Sequence, residues 1–90
     1  MEICRHCVVQ GKVQGVFFRQ NTYEKAVELG LKGWVRNCED GSVECIVSGE
    51  AHLVELMCER LKGGPPAAKV LNFKSEEIPF EEYHRFEVLY

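Results

Sequence analysis

Aspartate is almost missing from this chain of 90 residues: Asp40 is the single example, and it lies in the run Glu39-Asp40-Gly41-Ser42. An Asp-Gly pair between alternating apolar runs reads as a hairpin turn. Phosphatase mechanisms built on paired aspartates are therefore excluded, and a carboxylate-clamped Mg²⁺ is hard to assemble. The thiolate phosphatase pattern, cysteine followed six positions later by arginine, is missing too, because those positions hold Gln10, Val13, Glu44, Ala51 and Gly64. The stretch GKVQGVFFR lacks the closing Gly-Lys-Ser/Thr of a nucleotide-binding loop. The aromatic consensus of RNA-binding sheets does not occur. No apolar run is long enough to cross a bilayer. The opening residues MEICRHCVVQ carry neither a basic start before an apolar stretch nor a small-residue cleavage site. A cytoplasmic protein without a membrane partner is expected. The net charge is −3 and the basic residues are scattered, so no nucleic-acid partner is expected. A small anion can still bind, because one local pocket can be positive on an acidic protein.

The five cysteines, Cys4, Cys7, Cys38, Cys45 and Cys58, form an odd set, which fits free thiols in a reducing compartment. Cys4-Arg5-His6-Cys7 invites a zinc, redox or metal-carrier reading. If that segment is a strand, side chains three apart point to opposite faces and cannot share a metal. Buried or edge thiols are the simpler account. The three histidines, His6, His52 and His84, are dispersed, without a helix-spaced partner that would make a metal motif. They read as structural or surface residues.

The periodicity changes along the chain. Residues 3–10 are β-branched enough for a strand, and Gly11 to Phe17 reads as a loop. From Phe18 the apolar positions Phe18, Thr22, Ala26 and Leu29 recur at spacings of four and three, which predicts an amphipathic helix stopped by Gly30. LKGWVRNC and VECIVSG flank the Asp-Gly turn as two strands of a hairpin. A second helix is expected from Glu50 to Lys62, with Leu53, Leu56, Met57 and Leu61 as its inner stripe, ended by Gly63-Gly64-Pro65-Pro66. Residues 68–75 read as a strand, 76–84 as an acidic loop, and the terminal RFEVLY as a short last strand. The order βαββαβ, with an extra C-terminal strand, predicts a single α+β domain over residues 1–90. It is the ferredoxin-like split βαβ sandwich: an antiparallel sheet with both helices packed on one face. That fold hosts many chemistries and decides none.

Chemistry must come from two local stretches. The first is GKVQGVFFRQ, residues 11–20. A turn from strand to helix N-terminus gathers N–H groups without helical partners. Glycine lets them converge into an anion nest, and the helix dipole adds positive charge. Arg19, in the first turn, is misplaced by dipole arguments, yet its guanidinium fits two phosphate oxygens at once. On loop chemistry alone, a plain turn with a surface arginine is the better account. The second stretch, GLKGWVRNCEDGSVE, places Asn37 at the end of a strand before the hairpin; alone, it reads better as a turn asparagine.

Together, GKVQGVFFR and GWVRNCEDGSVE, at this separation in a chain of this length and element order that closes on Phe-x-Val-x-Tyr, resemble the acylphosphatase family. The resemblance covers nearly the whole chain. It implies metal-independent hydrolysis of acyl phosphates, such as acetyl phosphate or the acyl phosphate of a glycolytic intermediate, to a carboxylate and inorganic phosphate, with no cofactor. It implies that Gln14, Gly15, Val16, Phe17, Phe18 and Arg19 cradle the phosphate, with Arg19 gripping it, and that Asn37 holds the attacking water. Arg19 and Asn37 would be the catalytic pair and the metal set would be empty. Three positions depart from the pattern. Cys38 stands where many animal-type members have threonine, Leu89 where they often have a basic residue, and Phe17 where many bacterial members have glycine. A binding module that uses the same cradle without catalysis is the alternative from another class. A small-molecule substrate and a monomeric state are expected.

Overall fold

The computed structural model describes residues 1–90. Seven elements follow one another: β1 (Glu2–Lys12), α1 (Phe18–Glu28), β2 (Lys32–Asn37), β3 (Val43–Glu50), α2 (Ala51–Gly63), β4 (Lys69–Ile78) and β5 (Phe86–Leu89). They form a five-stranded sheet in the order β4-β1-β3-β2-β5. The first four strands pair antiparallel, as the split βαβ pattern predicts. The extra C-terminal strand β5 joins the far edge and runs parallel to β2, with Gly33 opposite Phe86 and Val35 opposite Val88. The sheet is therefore mixed. Residues 79–85 carry the chain from one edge to the other; Glu81 O accepts from Ser48 Oγ at 3.3 Å, and Gly33 N–H donates to Arg85 O at 3.1 Å.

Alternation along the strands builds the core. Cys7 and Val9 of β1, Val35 of β2, and Val43, Cys45 and Val47 of β3 all turn to the helical face, where Phe18, Ala26, Val54, Met57 and Leu61 close over them. Helix α1 covers β2 and β5, and α2 covers β1, β3 and β4. In α1, Phe18, Thr22 and Ala26 are buried at the expected spacing of four. Its end has two reverse bonds: Gly30 N–H to Val27 O at 3.1 Å and Leu31 N–H to Ala26 O at 2.8 Å. With Gly30 at φ 70°, this is a Schellman stop.

Helix α2 differs from its expected stripe. Met57 and Leu61 point inward, but Leu56 is exposed, and Val54 and Cys58 complete the buried set. Those four have i, i+3, i+4, i+7 spacing, the better helical face. Cys58 Sγ lies 3.8 Å from Cys7 Sγ. The interaction with Cys45, together with burial, pushes the Cys7 thiol up to about 12. Cys7 and burial likewise push Cys58 upward. Both thiols stay protonated and pack as small apolar groups. Cys4 points to the opposite face of the sheet, against Glu81 at 3.4 Å, so Cys4 and Cys7 do not converge.

Gly33 carries the tightest backbone approach. It has φ 132°, and an added Cβ would lie 1.9 Å from Ile46 O across the β2–β3 pair. Gly33→Ala is therefore expected to lower unfolding stability by about 2–4 kcal/mol, within the range of large single-site effects. Urea unfolding checks it. An unchanged midpoint would mean that the sheet yields at no cost.

Candidate active site

Between the end of β1 and the start of α1, the chain turns on Gly15 at φ 74° and Phe17 at φ 62°, while Val16 and Phe18 keep negative φ. Residues of alternating hand aim successive N–H groups to one side, the geometry of an anion nest. The first amide of this region to donate within the chain is Asn21, to Phe17 O at 2.9 Å. The amides from Gly15 to Gln20 have no backbone acceptor and are left for water or a ligand. No acidic side chain occupies the first turn of α1, so its dipole and amides present positive potential. The side chains of Val16 and Phe18 are buried in the core, and they pin the turn while its amides face outward.

Phe17 stands out. It is the only non-glycine residue with positive φ, a conformation that costs an L-residue about 1–2 kcal/mol. It also caps α1 without a side-chain hydrogen bond. Glycine would adopt this conformation without that cost.

Arg19 and Asn37 come together. Both line one cleft of about 450 Å³, beside Gly15, Phe17 and Tyr90. Arg19 is held from behind by the C-terminal residues. Its Nη1 donates to Leu89 O at 3.0 Å, and its guanidinium lies 4.6 Å from the centroid of the Tyr90 ring. Because the contact at position 89 is to a main-chain carbonyl, leucine serves there without a charge. Asn37 is the last residue of β2, opposite Val43. Its carboxamide forms no hydrogen bond within the chain, which leaves both ends for a ligand.

The hairpin that carries Asn37 is stiff. Asp40 Oδ1 accepts from Ser42 N at 2.9 Å and from Ser42 Oγ at 2.6 Å. These bonds hold its carboxyl below the usual range, so the chain's one aspartate is a turn residue. On the open face of the sheet, Glu44 receives His6 and the Arg36 guanidinium, whose Nε lies 2.7 Å from Oε1. His6 first, then Arg36, keep the Glu44 carboxyl below its ordinary range against the effect of burial. Arg36 is thereby committed away from the cleft. Cys38 Sγ lies 3.9 Å from Glu44 Oε1 and does not bond Asn37.

Gln14 sits in the turn but does not face the cleft. Its Nε2 donates to Cys38 O at 2.8 Å and to Ser42 O at 2.9 Å. Both side-chain N–H groups are spent on the Asn37 hairpin, so this side chain fastens the cradle to the strand end that bears Asn37. Each carbonyl also accepts a main-chain bond, from Gly41 N and Cys38 N respectively. Gln14→Ala therefore leaves neither carbonyl bare. It is expected to lower stability by about 1–2 kcal/mol, the worth of two ordinary hydrogen bonds. It should also lower kcat about tenfold, because the two halves of the cleft lose their fixed spacing. Denaturant unfolding and steady-state kinetics read the two effects separately, and normal values for both would show the staple to be idle.

Fold and cleft together define a small α+β protein with an amide-rich, positively charged pocket at the start of its first helix. The family model described as Acylphosphatase matches residues 5–88. An acylphosphatase of Nitrosococcus oceani is 48% identical over 88 residues, covering 98% of this chain and 99% of that protein. The solved structure of an acylphosphatase from Coxiella burnetii superposes with TM-score 0.94 at 48% identity, over 98% of this chain and 93% of the other. That of the Bacillus subtilis acylphosphatase gives TM-score 0.94 at 35% identity, over 98% and 99%. The chain belongs to the acylphosphatase family.

Proposed function

We propose that this chain hydrolyses acyl phosphates with its own groups alone, using the amides of residues 15–19 and the Arg19 guanidinium to hold the phosphoryl group and Asn37 to orient the attacking water. One observation carries this reading: the cleft places the guanidinium of Arg19 and the unbonded carboxamide of Asn37 against a turn whose amides lack acceptors. Of the cradle residues, Gly15 to Arg19 contribute main-chain N–H groups, and Gln14 contributes through its side-chain bonds to the hairpin.

The chemistry needs little more. The water oxygen forms a bond to phosphorus while the bond from phosphorus to the bridging acyl oxygen breaks. The electron pair of that bond leaves with the carboxylate, and one water proton passes to a phosphoryl oxygen. Products are a carboxylate and inorganic phosphate. A carboxylate leaving group needs no general acid. Charge in the loose transition state spreads over the phosphoryl oxygens, where amides and a guanidinium stabilise it. Asn37 can accept from the water through its carbonyl and donate to a phosphoryl oxygen through its amide, and positioning supplies the rest.

The working unit is one acylphosphatase-like domain of residues 1–90, a cytoplasmic monomer without nucleic-acid or membrane partners. Free thiols support a reducing compartment, and the charge of −3 with scattered basic residues argues against a phosphate-backbone partner. No helix is long and apolar enough to cross a membrane. Release of phosphate from acetyl phosphate in excess chelator tests the reading. The rate should stay within about twofold of the rate without chelator, because the transition-state charge is met by fixed donors. Loss of activity on chelation, restored by a divalent cation, would contradict it. Phosphate binding without turnover would leave only a binding module.

A further inference from the structure

The chemistry of the cleft is divided. Arg19, Gln20, Asn37 and the turn amides make it polar, and Val13, Phe17, Phe18 and Tyr90 supply an apolar and aromatic part. Two of these rings stand free: Phe17 is 82% and Tyr90 99% exposed. Single exposed apolar residues are ordinary. Phe17 is not ordinary, because its backbone holds a conformation that glycine would adopt freely, while its ring packs into nothing. Backbone strain kept at the mouth of a site, on a side chain with no role in the core, points to a ligand contact.

Charge narrows the ligand. Arg19 is the only lysine or arginine lining the cleft, and Arg36 is bonded to Glu44. Once Arg19 holds the phosphoryl group, a second anionic group on the substrate meets no cation there. It would instead meet two exposed aromatic rings, which offer it no ion pair and no apolar contact to gain. An apolar acyl group gains contact on the same surfaces, and an aromatic one can stack.

We propose that Phe17 and Tyr90 form an apolar rim that selects acyl phosphates with uncharged, apolar acyl groups, aromatic ones above all. This deepens the acyl phosphate reading and rests on it. The Tyr90 ring covers one side of the Arg19 guanidinium, which leaves the N–H edge for the phosphoryl oxygens and the free side of the ring for the acyl group.

The test compares kcat/KM for acetyl, benzoyl and succinyl phosphate in the wild type, Phe17→Gly and Tyr90→Ala, with inhibition by inorganic phosphate alongside. Glycine fits the backbone at position 17, so Phe17→Gly should fold. Each variant should lower the benzoyl-to-acetyl ratio by about fivefold or more, in line with the worth of small apolar contacts in a pocket. Intrinsic differences in substrate reactivity cancel when variant and wild type are compared. Succinyl phosphate should be the poorest of the three in the wild type. An unchanged ratio in both variants, or succinyl phosphate used as well as benzoyl phosphate, overturns the rim while leaving the hydrolytic reading intact. Failure of all three substrates, even where phosphate binds, overturns both.

Discussion

Arg19→Ala is expected to lower kcat/KM for acetyl phosphate by about 10³-fold, the size seen when a single guanidinium is removed from a phosphoryl-transfer site. The effect should be this large because nothing nearby can replace the charge. Arg36 is held by Glu44 through two of its nitrogens, and no other lysine or arginine lines the cleft. In the proposed mechanism Arg19 holds the phosphoryl oxygens in the ground state and in the transition state, so the variant should lose on both counts. Inhibition by inorganic phosphate should weaken together with kcat. Arg19→Lys should recover little of the loss. A lysine is a point charge that cannot offer two parallel N–H groups. It also cannot lie flat under Tyr90 while it reaches Leu89 O, the arrangement that orients the guanidinium. Steady-state kinetics with phosphate as competitive inhibitor decide the matter. A kcat/KM within a few-fold of wild type would remove Arg19 from the mechanism.

Much of this molecule is legible in its sequence wherever the signal is local. The spacing of Phe18, Thr22 and Ala26 marks helix α1, and Gly30 marks its stop. Asp40-Gly41 marks the hairpin, and its carboxylate does what a turn aspartate should. The strand alternation that separates Cys4 from Cys7 also follows from local period alone. What escapes the sequence depends on partners far along the chain. The inner face of α2 is rotated from the leucine-rich stripe because Cys58 finds a buried place against Cys7, a contact between residues that periodicity cannot connect. The parallel pairing of β5 is set by the path of residues 79–85 across the end of the sheet.

The site shows the same division. Arg19, Asn37 and the glycine-marked turn are picked out by the two stretches taken together, through their resemblance to the acylphosphatase pattern, since each alone reads better as an ordinary turn. The role of Gln14 is not, because its acceptors are main-chain carbonyls, which every residue has and no sequence advertises. The same holds for Leu89, which serves Arg19 through its carbonyl oxygen. Tyr90 is visible only as a terminal aromatic; its place over the guanidinium depends on β5 reaching the β2 edge. The left-handed backbone of Phe17 runs against residue preference, so nothing in its identity announces it.

Asn37→Ala should give a different signature from Arg19→Ala: kcat lower by about 10²-fold, with inhibition by inorganic phosphate nearly unchanged. The distinction follows from where each group acts. In the proposed mechanism the turn amides and Arg19 supply most of the hold on the phosphoryl group whether or not water attacks, whereas Asn37 adds a single amide donor to that hold and takes the water on its carbonyl. Its carboxamide has no partner in the chain, so truncation leaves no protein group unsatisfied, and the hairpin keeps its Asp40–Ser42 and Gln14 bonds. Fold and phosphate binding should therefore survive, and the loss should fall on the chemical step. Asn37→Asp separates orientation from basicity. It keeps the shape and the acceptor oxygen but replaces the amide donor with a negative charge facing the phosphoryl oxygens. If Asn37 needs both ends of its carboxamide, the aspartate variant should be at least as slow as alanine and should bind phosphate more weakly. If the position requires only a base, Asn37→Asp should match or exceed the wild type, and the water would then be activated by proton removal rather than by placement.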